Sequence, residues 1–196
     1  MHTYRQTLLL TASTALFSIF LSSTALAASE TYEIDPTHTL PRFEYNHMGF
    51  STQQSRFDKA SGVIVLDRVA KTGSADISID VQSINTGVTQ LNENIKGEDF
   101  LDAARWPSIT FKSSSFIFNG DNLTAIEGAL TIKGITKPVS LTVQSFKCMP
   151  HPRLKKEACG ATATTVIRRT DFNAGNFAPM VSDEIRLTIP VEAIKQ

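Results

Sequence analysis

The chain has 196 residues, with nineteen Lys and Arg against nineteen Asp and Glu, 41% hydrophobic and 19% charged residues. That length suits one domain, or two small ones, with a substantial core. Charge balance without a basic cluster argues against a nucleic-acid partner, and ten Gly with eight Pro are too few for a low-complexity chain.

The N-terminus reads as a secretory signal peptide. Arg5 precedes a charge-free run over 6–29 whose apolar weight lies in 8–21, and Ala25-Leu26-Ala27 supplies a small-x-small cleavage pattern. Thr and Ser interrupt the run, which disfavours an uncleaved anchor, and there is no Cys beside the site for lipid attachment. Cleavage after Ala27 removes one basic and no acidic residue, so residues 28–196 form a single domain of charge −1. Its expected location is the periplasm, with no integral membrane segment left after cleavage.

Strand patterns dominate the rest. Phe43, Tyr45 and His47 share one face, 62–67 is a strand candidate, and Ala75, Ile77, Ile79 and Val81 alternate with Asp76, Ser78 and Asp80. After Ile84 the period changes: Val88, Leu91 and Ile95 mark one short helix, with Thr86 as the expected cap and Lys96-Gly97 as the stop. Strand patterns resume at 109–118, and Asn119-Gly120 is a hairpin signal. Over 123–133 the apolar phase slips, which predicts a bulge across Gly128, and 134–138 punctuates the next pair. Val139, Leu141 and Val143 alternate, 160–168 follows, and Ile185, Leu187, Ile189 and Val191 close the series. Pro190 places that last strand at a bulge, an end or a weakly paired edge.

Cys148 and Cys159, with ten residues between them in an oxidising compartment, are most simply a disulfide pinning a loop with two prolines. About eight antiparallel strands with one short helix define an all-β barrel or sandwich. Ten Phe remain after Phe17 and Phe20 leave with the signal peptide, enough to line a pocket or simply to fill a core.

Several stretches, taken in order, resemble the YceI-like, polyisoprenoid-binding family of bacterial periplasmic proteins. They are 32–39 (Tyr-Glu-Ile-Asp-Pro-Thr-His-Thr), Phe43, 47–49, Phe57 with Ser61-Gly62, 83–87, 99–102, 106–113, 128–139, 169–172 and 191–193. The resemblance covers nearly all of 28–196 and implies a lipocalin-like antiparallel barrel whose apolar tunnel holds a long-chain isoprenoid or related amphiphile, with no established enzymatic activity. An isoprenoid gains about 0.8 kcal/mol per buried CH₂, so such a tunnel needs little polar chemistry. Many members carry an Arg-Asp-x-His cluster in the helical segment. This chain has Leu91, Asn92, Glu93 and Asn94 there, which weakens a phosphate-binding or catalytic mouth at that place.

The expected apolar lining is Phe43, Tyr45, Phe57, Ile79, Ile95, Phe100, Phe111, Leu141 and Phe172, with His38, His47, Lys96 and Arg169 as polar contacts at the mouth. Arg169 ranks above Lys96 because it falls in a family-matching block. His38, His47 and Asp35 lack a metal-ligand signature, and there is no Gly-x-Ser-x-Gly, P-loop or Gly-x-Gly-x-x-Gly. No catalytic residue, metal or cofactor is therefore expected. The expected partner is a lipid, whether a polyisoprenoid, an isoprenoid quinone or a fatty amphiphile, and a homodimer stays open. Two other readings compete: an enzyme acting on a lipid or quinone precursor in the same pocket, and a structural protein whose pocket is packed shut.

Overall fold

A computed structural model describes residues 28–196; the expected signal peptide lies outside the described residues. The elements are β1 (Glu30–Ile34), β2 (Arg42–His47), β3 (Ser51–Phe57), β4 (Ala60–Asp67), β5 (Thr72–Asp80), β6 (Ile84–Asn85), α1 (Thr89–Lys96), β7 (Ser108–Asn119), β8 (Asn122–Ile132), β9 (Ile135–Pro150), β10 (Glu157–Arg168) and β11 (Glu184–Lys195). Eight of the strands close a barrel in the order β1-β4-β5-β7-β8-β9-β10-β11, and β1 returns to β11. Every neighbouring pair is antiparallel. The remaining strands branch from β11 in the order β2-β3-β6.

The branch explains why eleven strands make an eight-stranded barrel. β11 pairs with β2 through Arg186–Thr188 and with β1 through Ala193–Lys195, so β1 and β2 are two halves of one interrupted stave. β3 and β4 are likewise joined only by Asp58-Lys59, and β5 and β6 by a single 3₁₀ turn, Val81–Ser83. Between the halves of the first stave, Asp35 N–H donates to Glu192 O at 2.7 Å, and the Thr39 hydroxyl bonds Glu192 O and N, both at 3.2 Å. Pro190 sits in this interval, paired with Thr162 on the β10 side only, which is the weakly paired position its missing N–H requires.

The expected bulge at Gly128 is corrected by the register. Gly128 pairs regularly with Val139 on β9, while on the β7 side a bulge does adjoin it, between Ser113↔Gly128 and Ser115↔Glu127, with its extra residue, Ser114, on β7; the other extra residues are Thr124 on β8 and, against β10, Gln144 on β9. Each reverses which alternate residues face inward: Ile109 and Phe111 but Phe116 on β7, Leu130 and Ile126 but Leu123 on β8, Val139 and Leu141 but Phe146 on β9. Gly128 has a different task. A Cβ there would lie 2.5 Å from the Phe111 ring, so its bare backbone makes room for that side chain.

The helix is capped two residues later than at Thr86. Val88 is the cap, and Thr86 instead donates its hydroxyl to Asn92 Oδ1 at 2.7 Å, tying the lead-in to the helix. Gly97 ends it, with its N–H on Asn94 O at 3.1 Å. Since β6 pairs only with β3, α1 and the segment after it fill the space between β6 and β7. Ile95 packs there into a core with Phe57, Val81, Ile84, Ile109, Leu130 and Phe172. A second core, around Tyr32, Ile34, Leu66, Cys159 and Ala193, occupies the other end.

Candidate functional site

Inward-facing residues of all eight barrel strands enclose a cavity of about 440 Å³ that runs from Tyr32 and Phe146 at one end to His47, Phe177 and Val181 at the other. That size suits one ligand molecule rather than several. The wall is apolar almost throughout and, among the described residues, carries no carboxylate and no serine.

The end around Tyr32 is sealed. Tyr32 is fully buried, and its phenol proton lies between Glu30 Oε2 at 2.8 Å and Glu157 Oε1 at 2.6 Å. Arg68 Nη2 donates to both oxygens of Glu157 at 2.9 and 2.8 Å, and Lys195 binds Glu30, so both carboxylates are neutralised. Burial first, then the two carboxylates that accept from it, push the Tyr32 hydroxyl far above the ordinary phenol range. Cys148 and Cys159, directly opposed on β9 and β10, form the disulfide here. The strands continue two residues past them, to Pro150 and Glu157, so the bridge crosses paired strands rather than pinning a loose loop.

The opposite end is a mouth. His47 and Phe177, both exposed, border the cavity where the β2–β3 tip meets the segment 173–182. Met48 N–H donates to Met180 O at 2.6 Å, Ser182 N–H to Asn46 O at 2.9 Å, and His47 bridges Val181. Tyr45 is half-buried in the wall, and among the described residues its hydroxyl has no hydrogen-bond partner; burial raises its pKa, opposed in part by the charge of Arg169.

All nine residues expected in the apolar lining, Phe43, Tyr45, Phe57, Ile79, Ile95, Phe100, Phe111, Leu141 and Phe172, border the cavity. The four expected polar contacts divide. His47 reaches the mouth, and Arg169 borders the cavity but is committed elsewhere. Its Nε donates to Ser182 O at 2.9 Å, Nη1 to Ala174 O at 2.7 Å and Asn176 O at 3.2 Å, and Nη2 to Val181 O at 2.7 Å. Four of its five N–H groups thus hold the backbone of 174–182, and its Cζ lies 5.9 Å from the Phe100 ring centre. Burial lowers its pKa, with Asp183 opposing.

Lys96 does not border the cavity and pairs with Glu93 at 2.9 Å. His38 lies on the outside of the wall, at the break between β1 and β2. Its Nδ1 is 2.7 Å from Asp35 Oδ2 and 3.9 Å from Glu192 Oε2, while Thr37 N–H and Oγ–H donate to Asp35 Oδ1 at 2.8 and 2.6 Å. Partial burial pulls the Asp35 pKa up, but the hydrogen bonds from Thr37 and His38 outweigh it and hold the group at about 2. The bond to Asp35, and its charge, raise His38. Asp35, His38 and Glu192 are the candidate ligands for a metal among the described residues, their ligating atoms within 4.8 Å of one another; His47, grouped with His38 and Asp35 in the sequence reading, is not among them.

The sequence reading missed much of the deeper wall. Ile185, Leu187, Ile189 and Val191 line the cavity and already stood out by alternation. Phe116 and Phe146 are inward only because of the extra residues at Ser114 and Gln144, which no simple period reveals.

A closed antiparallel barrel with an apolar interior and one sealed end defines a lipocalin-like domain built around an internal cavity. The chain belongs to the YceI-like family, whose domain model matches residues 32–193. Protein YceI of Escherichia coli is 32% identical over 181 residues, covering 91% of this chain and 93% of that protein. BcnA of Burkholderia cenocepacia superimposes with a TM-score of 0.70 at 25% identity, over 81% of this chain and 98% of that one. A polyisoprenoid-binding domain from Saccharophagus degradans shares the fold, with a TM-score of 0.63 at 17% identity over 84% of this chain and 98% of that one. Among the described residues no helix is long and apolar enough to cross a membrane.

Proposed function

We propose that the protein holds one long-chain isoprenoid or related amphiphilic lipid in its barrel, as a periplasmic carrier or sequestering protein. The observation that carries this reading is the continuous apolar cavity, to which every barrel strand contributes. The eight other lining residues named above contact the chain of the ligand, while Tyr45 and His47 meet its polar end at the mouth. The description of the Saccharophagus degradans domain as polyisoprenoid-binding supports the ligand class. The pattern over 1–27 supports export. Binding without turnover is our reading because the wall is apolar almost throughout, with Tyr45 and His47 at the mouth among its few polar groups.

Native mass spectrometry before and after organic extraction tests the reading. A mass adduct that extraction removes and added polyprenol restores is expected. A protein that carries no adduct and takes up neither polyprenols nor fatty amphiphiles overturns it.

A further inference from the structure

Four of the five exposed Phe and Met side chains among the described residues gather at the mouth. Phe50 is 84% exposed, Met180 56%, Phe177 52% and Met48 51%; the fifth, Met149, sits at the sealed end. The two segments that carry them, 48–55 and 173–182, contain no Asp, Glu, Lys or Arg, although 19% of the chain is charged. From these observations we propose that the mouth is a bilayer-docking surface, whose two uncharged tips enter the interface of a phospholipid membrane with the cavity opening between them.

Three further features fit a lipid surface better than a second protein. The tips are preformed: Met48 and Gly49 are both left-handed, at φ 56° and 76°, and Phe50 N–H closes the turn on His47 O at 3.0 Å. Arg169 fixes the other tip from beneath through its four bonds to backbone carbonyls. Part of the backbone of the tips is satisfied internally, Met48 N–H on Met180, Gly49 on the Asn46 side chain, Ala178 on Gly175, Val181 on Phe177 and Ser182 on Asn46, while the N–H groups of Gly175, Asn176, Phe177 and Met180 have no partner among the described residues. Segments with no charge of their own to strip of water can enter the bilayer interface, where headgroups and water meet the remaining N–H groups, and the flanking charges stay paired with polar atoms, Asp99 with Asn176 at 2.8 Å and Lys133 with Asn173 O at 2.9 Å. The cavity wall continues into the same surface through Phe177 and Val181, so a lipid passes from bilayer to barrel without crossing water. Docking requires no particular cargo, and its test does not depend on the identity of the ligand.

The test is flotation of the protein with vesicles of phosphatidylethanolamine and phosphatidylglycerol. Wild type is expected to float with the vesicles, and to do so in molar salt, since apolar insertion is not screened. Phe50→Ser with Met180→Ser should reduce the floated fraction at least tenfold, while Met149→Ser, at the other end of the barrel, leaves it unchanged. Both replaced side chains are exposed, and circular dichroism confirms that the variant is folded. A Phe50→Trp reporter should be quenched by brominated acyl chains. The proposal is overturned if wild type does not float, if the double variant floats like wild type, or if binding vanishes in molar salt. It is equally overturned if wild type is a dimer that the double variant splits while vesicles are ignored, which would make the tips a subunit interface.

Discussion

The two ends of the barrel solve opposite problems with opposite chemistry. At the sealed end, Tyr32, Glu30, Glu157, Arg68 and Lys195 form a charged network beside a disulfide. At the mouth, two uncharged segments are held by backbone hydrogen bonds and by one arginine working from below. Charged groups are costly to move once paired and partly buried, so they close an end that has no traffic. Backbone hydrogen bonds hold the mouth's shape, and the Arg169 guanidinium is turned to four backbone carbonyls. Polarity in this barrel is thus placed by what each end must refuse.

The contrast can be broken most sharply at Arg169. Arg169→Ala leaves four carbonyls without their donor in a largely buried setting, and a loss of about 3–5 kcal/mol in urea unfolding is expected. Arg169→Lys should recover only part of it, because an ammonium cannot span the four acceptors. At the sealed end, replacing Cys148 and Cys159 by Ala removes a closed loop from the unfolded chain and is expected to cost about 2–3 kcal/mol, read by comparing unfolding of the variant with that of the oxidised wild type.

A matched pair of tyrosines sharpens the comparison further. Tyr32→Phe removes the donor shared by Glu30 and Glu157 and should cost about 1–2 kcal/mol. Tyr45→Phe, whose hydroxyl has no partner among the described residues, should change stability by less than about 0.5 kcal/mol. Equal losses would show that the mouth tyrosine is bound as tightly as the sealed one.

The smallest effect belongs to the outer wall. His38 has a raised pKa, so its pairing with Asp35 stabilises fully below the ordinary histidine value of 6.5 and is lost as pH rises through the folded value. Asp35 runs the other way: its contribution is complete above 3.8 and disappears as pH falls toward about 2. His38→Ala should therefore flatten the loss of stability on the alkaline side of 6.5, measured by urea midpoints across pH.

How much of this was legible in the sequence depends on how local the cause is. The alternation of Ile185, Leu187, Ile189 and Val191 survives intact in β11, because that strand has no extra residue. The ordered family blocks implied a lipocalin-like barrel, and the closed eight-stranded sheet has that architecture. β3 went unrecognised because Ser51-Thr52-Gln53-Gln54 is polar on both faces, as a rim outside the core permits. The position of the bulges depends on pairing with a neighbouring strand, and the slip read at Gly128 belongs to Thr124. Arg169 borders the cavity, yet its hydrogen bonds go to carbonyls of a segment without any periodic pattern. His38 and Lys96 look alike in sequence as polar groups near the barrel mouth, and only the closed sheet shows that neither faces inward.

The interrupted first stave has a dynamic consequence. The unit formed by β2, β3 and β6 is tied to β11 through three residue pairs, whereas β10 and β11 share eleven. Cooperative units of a fold open according to what they bury and how many strands hold them, so amide protons of 42–57 should exchange with deuterium ahead of those in β8, β9 and β10. The interval filled by Asp35 and Thr39 then acts as a perforation line, along which one part of the wall loosens while the rest of the barrel stays folded.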